Sequence, residues 1–212
     1  MDTQQDWVDL AGRTAGEAPR QQAEVLRSAA PVRTLVARAF RVKTEERSWR
    51  IGAKGEAKVG RLLADLTGGD PRWRVIHSVP VGTAGSDIDH VAIGPGGIFT
   101  LNTKNHPDAK VWVAGDTFMV NGQWHPYVRN SRHEARRAAK LLGAVAGVPV
   151  SVTGVIVVMG AKSVTVRELP PDVRIVERRQ LLPWLRAQPE WLPLAGIDHL
   201  YGIARRSTTW VL

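Results

Sequence analysis

The chain of 212 residues has no cysteine. Disulfide frameworks and thiolate metal sites are excluded, and a reducing cytosol suits such a chain. No apolar run approaches the roughly 20 residues that span a bilayer. The start, Met1 to Asp6, lacks a basic segment followed by an apolar one, so no secretory signal is expected. A cytoplasmic protein with no membrane partner is therefore expected. Tyrosine and phenylalanine are scarce, two and three residues, so the eight tryptophans must do most of the aromatic packing. Acids are the minority charge: 20 Asp plus Glu against 29 Lys plus Arg leave a net charge of +9. That balance favours polyanionic partners. No internal repeat or low-complexity tract is evident.

What is present organises into three parts. Residues 1–50 are rich in Ala, Gln and Arg, with acids nearly offsetting bases, and apolar residues recur at helical spacing from Gln21 to Phe40 around Pro31. They read as an N-terminal helical extension. Residues 51–187 form the core. Val59, Leu62, Leu63 and Leu66 make the stripe of a packed helix that Gly68-Gly69 ends. Strands follow over Trp73 to Val79, and Asp87 to Ile93 with Ile98 to Lys104 forms a hairpin across Gly94 to Gly97. Val111 to Val113 and Thr117 to Val120 read as a second hairpin, extended by Trp124 and Tyr127. Ser131 with Glu134 has the spacing of a capping box, placing a helix start there and its end near Gly147. Val152 to Met159 has the composition of a central strand covered on both faces, with a weaker strand at Val173 to Val176. Arg179 to Ala187 closes the core as a helix. Residues 188–212 are a Pro- and Trp-rich loop and a last helix, Ile197 to Arg206. The order predicts a mixed α/β domain, a central β-sheet flanked by helices.

The chemistry concentrates in Ser86 to His106, SDIDHVAIGPGGIFTLNTKNH. Residues two apart on a strand share a face, so Asp87 and Asp89 point one way and Asn102 and Lys104 share a face on the neighbouring strand. The hairpin would bring Asp89, Asn102 and Lys104 together. Oxygen ligands there suit Mg²⁺ or Mn²⁺, which completes its shell with substrate phosphate. Lys104 would orient the attacking water and stabilise charge on the phosphorane. Asp87 either adds a ligand or closes the turn after Gly85-Ser86. His90 and His106 are possible ligands, but a histidine beside Pro107 reads first as a loop surface residue. Arg132, Arg136 and Lys140, spaced by four with Arg129 and Arg137 nearby, read as a basic stripe for a phosphate backbone or as a solvated helix face. Trp112, Trp124 and Tyr127 read as core or sheet-surface aromatics, with base stacking as the alternative.

At these residues the chain resembles the nuclease-related domain (NERD) family, a branch of the PD-(D/E)xK nuclease superfamily close to the Mrr-like restriction enzymes. The resemblance rests on IGAKGEAKVGRLL (Ile51 to Leu63), DIDHVAIGPGGIFTLNTKNH (Asp87 to His106) and the later VWV, NGQ and NSRHEA segments, covering roughly residues 50–160. It implies a restriction-endonuclease-like core and Mg²⁺-dependent cleavage of DNA. It also implies site roles for Glu56 on the opening helix, Asp89 on the second strand, and Asn102 with Lys104 where the family carries an acid-x-lysine pair. Asn102 departs from that pattern. An amide oxygen still ligates Mg²⁺ but brings no charge. Some Mrr-like relatives are similar in carrying an amide there.

Three functions remain in view. The first is a metal-dependent nuclease acting on nucleic acid, with DNA the expected partner. The second is a catalytically lapsed nuclease fold that binds DNA, because Asn102 replaces the second acidic ligand. The third is a protein-interaction domain docking through Trp184, Trp191 and Trp210. The terminal helices leave room for a homo-oligomer.

Overall fold

The computed structural model describes residues 7–16, 45–82 and 86–211. The helix expected from Gln21 to Phe40 lies outside them. The fold is mixed α/β, a central mixed sheet flanked by helices. Helix α1 (Glu45–Gly69) is followed by strands β1 (Arg74–Val81), β2 (Ser86–Gly94) and β3 (Gly97–Asn105). Then come β4 (Lys110–Ala114), β5 (Thr117–Val120) and β6 (Gln123–His125), helix α2 (Tyr127–Ala146), and strands β7 (Val152–Met159), β8 (Ser163–Glu168) and β9 (Val173–Glu177). Helices α3 (Leu181–Arg186) and α4 (Leu194–Ala204) close the described chain. The main sheet has the order β1-β2-β3-β7-β9, an antiparallel meander continued by two parallel strands, and a smaller sheet has the order β6-β5-β4-β8.

Side-chain alternation distributes the core. On β3, Phe99 and Leu101 face the α1 residues Val59, Leu63 and Leu66, together with Val155, Val157 and Leu181. On the opposite face, Ile98, Val91 and Ile93 pack with Ala138, Leu141 and Leu142 of α2 and Ile197 and Leu200 of α4. Central β7 is buried on both faces from Gly154 to Met159, with Ile156 and Val158 reaching the smaller sheet at Val111, Val113 and Phe118. That double burial explains its β-branched composition. Gly55 lets α1 approach β3 closely, since a Cβ there would lie 3.0 Å from Asn105 Cβ and 3.2 Å from Thr103 Cγ2.

Three elements differ from the sequence reading. Helix α2 starts at Tyr127, four residues before the expected cap, and the amide of Asn130 already donates to the Pro126 carbonyl (2.9 Å). Ser131 is thus inside the helix and buried, and Glu134 is not a capping residue. Tyr127 therefore does not extend the hairpin, which ends with β6. Strand β8 was not expected because it is a mostly exposed edge strand pairing in parallel with β4, so neither a hairpin turn nor a buried run marks it.

The end of the described chain is anchored. Trp210 is fully buried and its indole Nε1–H donates to the Ala204 carbonyl (2.8 Å), while Gly82 N–H donates to the Trp210 carbonyl (2.8 Å). Leu10 is equally buried; its amide donates to the Arg205 carbonyl (2.8 Å), and Asp9 pairs with the Arg205 guanidinium. Trp184 meets Phe99 edge-on (5.5 Å between centroids), and Trp191, though exposed, donates to the Gly96 carbonyl (3.1 Å). Two of the three tryptophans of the interaction reading are therefore packing residues, and the third braces the β2–β3 turn.

Candidate active site

The site forms where the main sheet's hydrogen bonding opens. Strands β2 and β3 pair from Gly94↔Gly97 to His90↔Leu101. One residue further, the carboxylate of Asp89 takes the place of a backbone partner: its Oδ2 accepts the Thr103 amide at 2.6 Å. On the β1 side the ladder is interrupted at the same level, where Ser78 adopts φ 47° between the pairs His77↔His90 and Val79↔Ile88. The Ser78 carbonyl instead accepts from Arg13 Nη1 (2.6 Å). Asp89 therefore sits on a strand locally released on both sides, an irregularity of the kind that re-aims side chains.

On β3, Asn102 and Lys104 share the face turned toward α2, as their spacing requires. Asn102 is buried, and its Nδ2 donates to both carboxylate oxygens of Glu134 on α2, at 2.9 and 3.0 Å. Its Oδ1 is buried with no hydrogen-bond partner among the described residues. The Lys104 ammonium lies over the Tyr127 ring, 4.8 Å from its centroid. Asp87 is half-buried and lines a cavity of about 70 Å³ with Glu134 and Arg137.

Glu134 is a candidate site residue that the sequence reading missed. Its spacing from Ser131 fits a capping box, which hid it. The available signal was spacing: Glu134 stands four and seven residues before Ala138 and Leu141, so it shares the helix face that packs on the sheet. Glu56 is buried on the sheet-facing stripe of α1. Its neighbour Gly55 abuts Thr103 and Asn105, so α1 packs on the face of β3 opposite to Asn102 and Lys104.

Burial dominates the electrostatics. It pushes the Asp89 carboxyl up to about 6, against the opposing pull of Lys104 and the Thr103 amide. It pushes Glu134 up to about 7, against the Asn102 hydrogen bond and with the Asp89 charge adding to the rise. Asp87 is raised for the same reason. Carboxyls with raised pKa values keep protons in the folded state that the unfolded chain has released. Stability from such groups falls as pH rises between about 4 and 7. The imidazoles of His77, His90 and His106 are lowered instead, chiefly by burial, and act in the opposite sense below pH 6.5. Comparison with a Glu134→Gln variant cancels them. The variant is expected to gain stability relative to wild type as pH rises from about 5 to about 8 in EDTA, followed by urea unfolding. A difference independent of pH would show that Glu134 does not titrate in that window.

The set suits a divalent cation of the Mg²⁺ class. Among the described residues no three His, Cys, Asp or Glu side chains are grouped to chelate an ion by themselves. The available oxygens are instead carboxylates from two elements and an unsatisfied amide oxygen, which could serve an ion that retains several waters. The orphaned Asn102 Oδ1 and the raised carboxyls are what such a charge would relieve.

The basic stripe on α2 divides. Arg132 is taken up by the fold, its guanidinium bonding Asp116 (2.6 and 2.8 Å) and Asp172 (2.6 and 2.8 Å), with 18% of the side chain exposed. Arg137 lies against Gly82 and lines the small cavity. Arg136 is largely exposed, with a longer contact to Asp172 (3.4 Å), and Arg129 and Lys140 are exposed as well. His106 is half-buried rather than a loop surface residue: its ring stacks on Tyr127 (5.7 Å between centroids, 26° between planes).

A mixed sheet flanked by helices, with a strand aspartate facing an x-lysine pair on the adjacent strand, defines a nuclease-like core. The family model of the nuclease-related domain matches residues 51–159. The chain belongs to that family, for which the PD-(D/E)xK branch is a sensible reading. It is also 32% identical, over 103 residues, to an uncharacterized protein of Bacillus anthracis, covering 43% of this chain and 47% of that one. The chain thus spans about half the length of this curated relative. No solved structure matches it.

Proposed function

We infer that the protein is a metal-dependent phosphodiesterase of nucleic acid, with DNA as its expected substrate. The observation that carries the reading is the bond between Asn102 and Glu134, because it puts a carboxylate from α2 beside the strand position that lacks one. Asp89, Glu134 and the Asn102 Oδ1 would hold the ion, with Asp87 at the margin. A bound Mg²⁺ supplies Lewis acidity at the phosphate and a more acidic water. The chain's residues do the rest. The Thr103 amide fixes one oxygen of Asp89, so the carboxylate is aimed before substrate arrives. Asn102 holds Glu134 against rotation. Lys104, tethered over Tyr127, orients the attacking water and stabilises charge growing on the phosphorane. The exposed Arg129, Arg136 and Lys140 supply phosphate contacts along α2.

A second reading has its own observation. The Asn102 Nδ2 bonds also hold the Glu134 carboxyl in place without any ion, as a lapsed site would. Supercoiled and single-stranded DNA incubated with Mg²⁺, Mn²⁺ or EDTA separates the two. Cleavage with metal and none in EDTA is the expected outcome. An inert wild type whose Asn102→Glu variant cuts would assign the protein to binding alone.

A further inference from the structure

A cleft of about 670 Å³ opens beside Lys104, between the end of β3, the β5–β6 turn and Ile51-Gly52 of α1. One side of it carries the rings of His106, His125 and Tyr127. His125 stacks on Tyr127 (4.8 Å between centroids, 22° between planes), His106 stacks on the same ring, and Phe118 supports Tyr127 edge-on from the core (5.1 Å). Burial, then the His125 ring and the Lys104 charge, push His106 down to about 4, and burial with the Lys104 charge lowers His125, which favours the uncharged form of both rings. Flat, uncharged rings offer stacking surface. Polar atoms complete the recess: His106 Nε2 is buried with no partner among the described residues, and the exposed Gln123 amide stands at the rim. The volume lies within the range of pockets that take nucleotide-sized ligands. Lys104 borders both this cleft and the carboxylates, so a phosphate at Lys104 places its own nucleotide at the cleft mouth.

We propose that this cleft receives the unstacked base of the nucleotide whose phosphate lies at Lys104, and that the preferred substrate is therefore single-stranded or locally unpaired nucleic acid. The proposal rests on the phosphodiesterase reading and specifies its substrate. A base inside an uninterrupted duplex cannot enter a recess, and extracting it costs a few kcal/mol. An unpaired strand avoids that cost.

The test is binding by the full chain in EDTA, where no bond is cut. A short oligothymidylate is compared with an abasic strand of equal length, which keeps every phosphate and removes every base. The oligothymidylate is expected to bind about tenfold tighter than the abasic strand and than its own duplex. His125→Ala is expected to remove that preference and His125→Phe to retain it; the wild-type comparison stands even if the alanine variant does not fold. An oligouridylate that binds tighter still would keep the cleft and make the sugar ribose. Equal affinity for the thymidylate and abasic strands, or no binding to either, overturns the proposal. Base-dependent binding without metal-dependent cutting would remove the nuclease reading alone, and cutting with base-independent binding would remove the cleft alone.

Discussion

A Glu134→Gln chain is expected to fold normally and to cut DNA about 10- to 100-fold more slowly than wild type, the range seen when the oriented groups around a metal site are altered. The substitution is nearly isosteric, and a Gln carbonyl can still accept from Asn102 Nδ2. The charge leaves, and one of the two oxygens that accept from Asn102 becomes an NH2. The decisive companion is the exchanged pair, Asn102→Glu with Glu134→Gln, which returns a carboxylate to the strand and leaves an amide on the helix. Partial recovery is expected, because the two side chains already meet at 2.9 to 3.0 Å and charge at that point, rather than its element of origin, is what the ion senses. Lys104→Ala should match the single variant in severity without recovery by the exchange. Single-turnover cleavage at saturating Mg²⁺ measures all three. Full activity in Glu134→Gln would refute the helix-borne ligand.

The largest stability effect is expected at the other end of the chain. Trp210→Ala should cost about 3–5 kcal/mol, the usual range for removing a large buried aromatic. The indole is wholly enclosed among Ile203, Ala204, Leu10 and neighbouring core residues, and its N–H satisfies the Ala204 carbonyl. Collapse into the cavity is opposed by the Gly82 amide, which holds the Trp210 backbone in place. Urea unfolding gives the number. A loss under about 1 kcal/mol would mean that the C-terminal turn detaches without disturbing the core.

Most of the central sheet was legible because its strands carry distinct signatures. The β2–β3 hairpin announces itself through Gly94 to Gly97, and β7 through an unbroken apolar run. The convergence of Asp89 with Asn102 and Lys104 followed from strand alternation alone. What escaped was long-range. Glu134 lies 32 residues from Asn102 in sequence, and a plausible local partner in Ser131 offered a rival account of it. Arg132 looked like a phosphate ligand because spacing along a helix says nothing about Asp116 and Asp172 arriving from elsewhere. The break in the ladder at Ser78 was equally hidden, since a positive φ at serine has no reliable sequence mark.

Arg132 and Glu134 are two residues apart on α2, which places them about 200° around the helix axis from each other. One points out to its two aspartates, the other in to the sheet. The helix is thereby pinned like a spindle, from outside by charge and from inside by an amide. Any turn about its own axis must break a guanidinium pair before it can swing the inner carboxylate away. The aim of the inner group is thus set partly by an ion pair on the solvent side, and the alignment inherits some of the salt sensitivity of exposed charge.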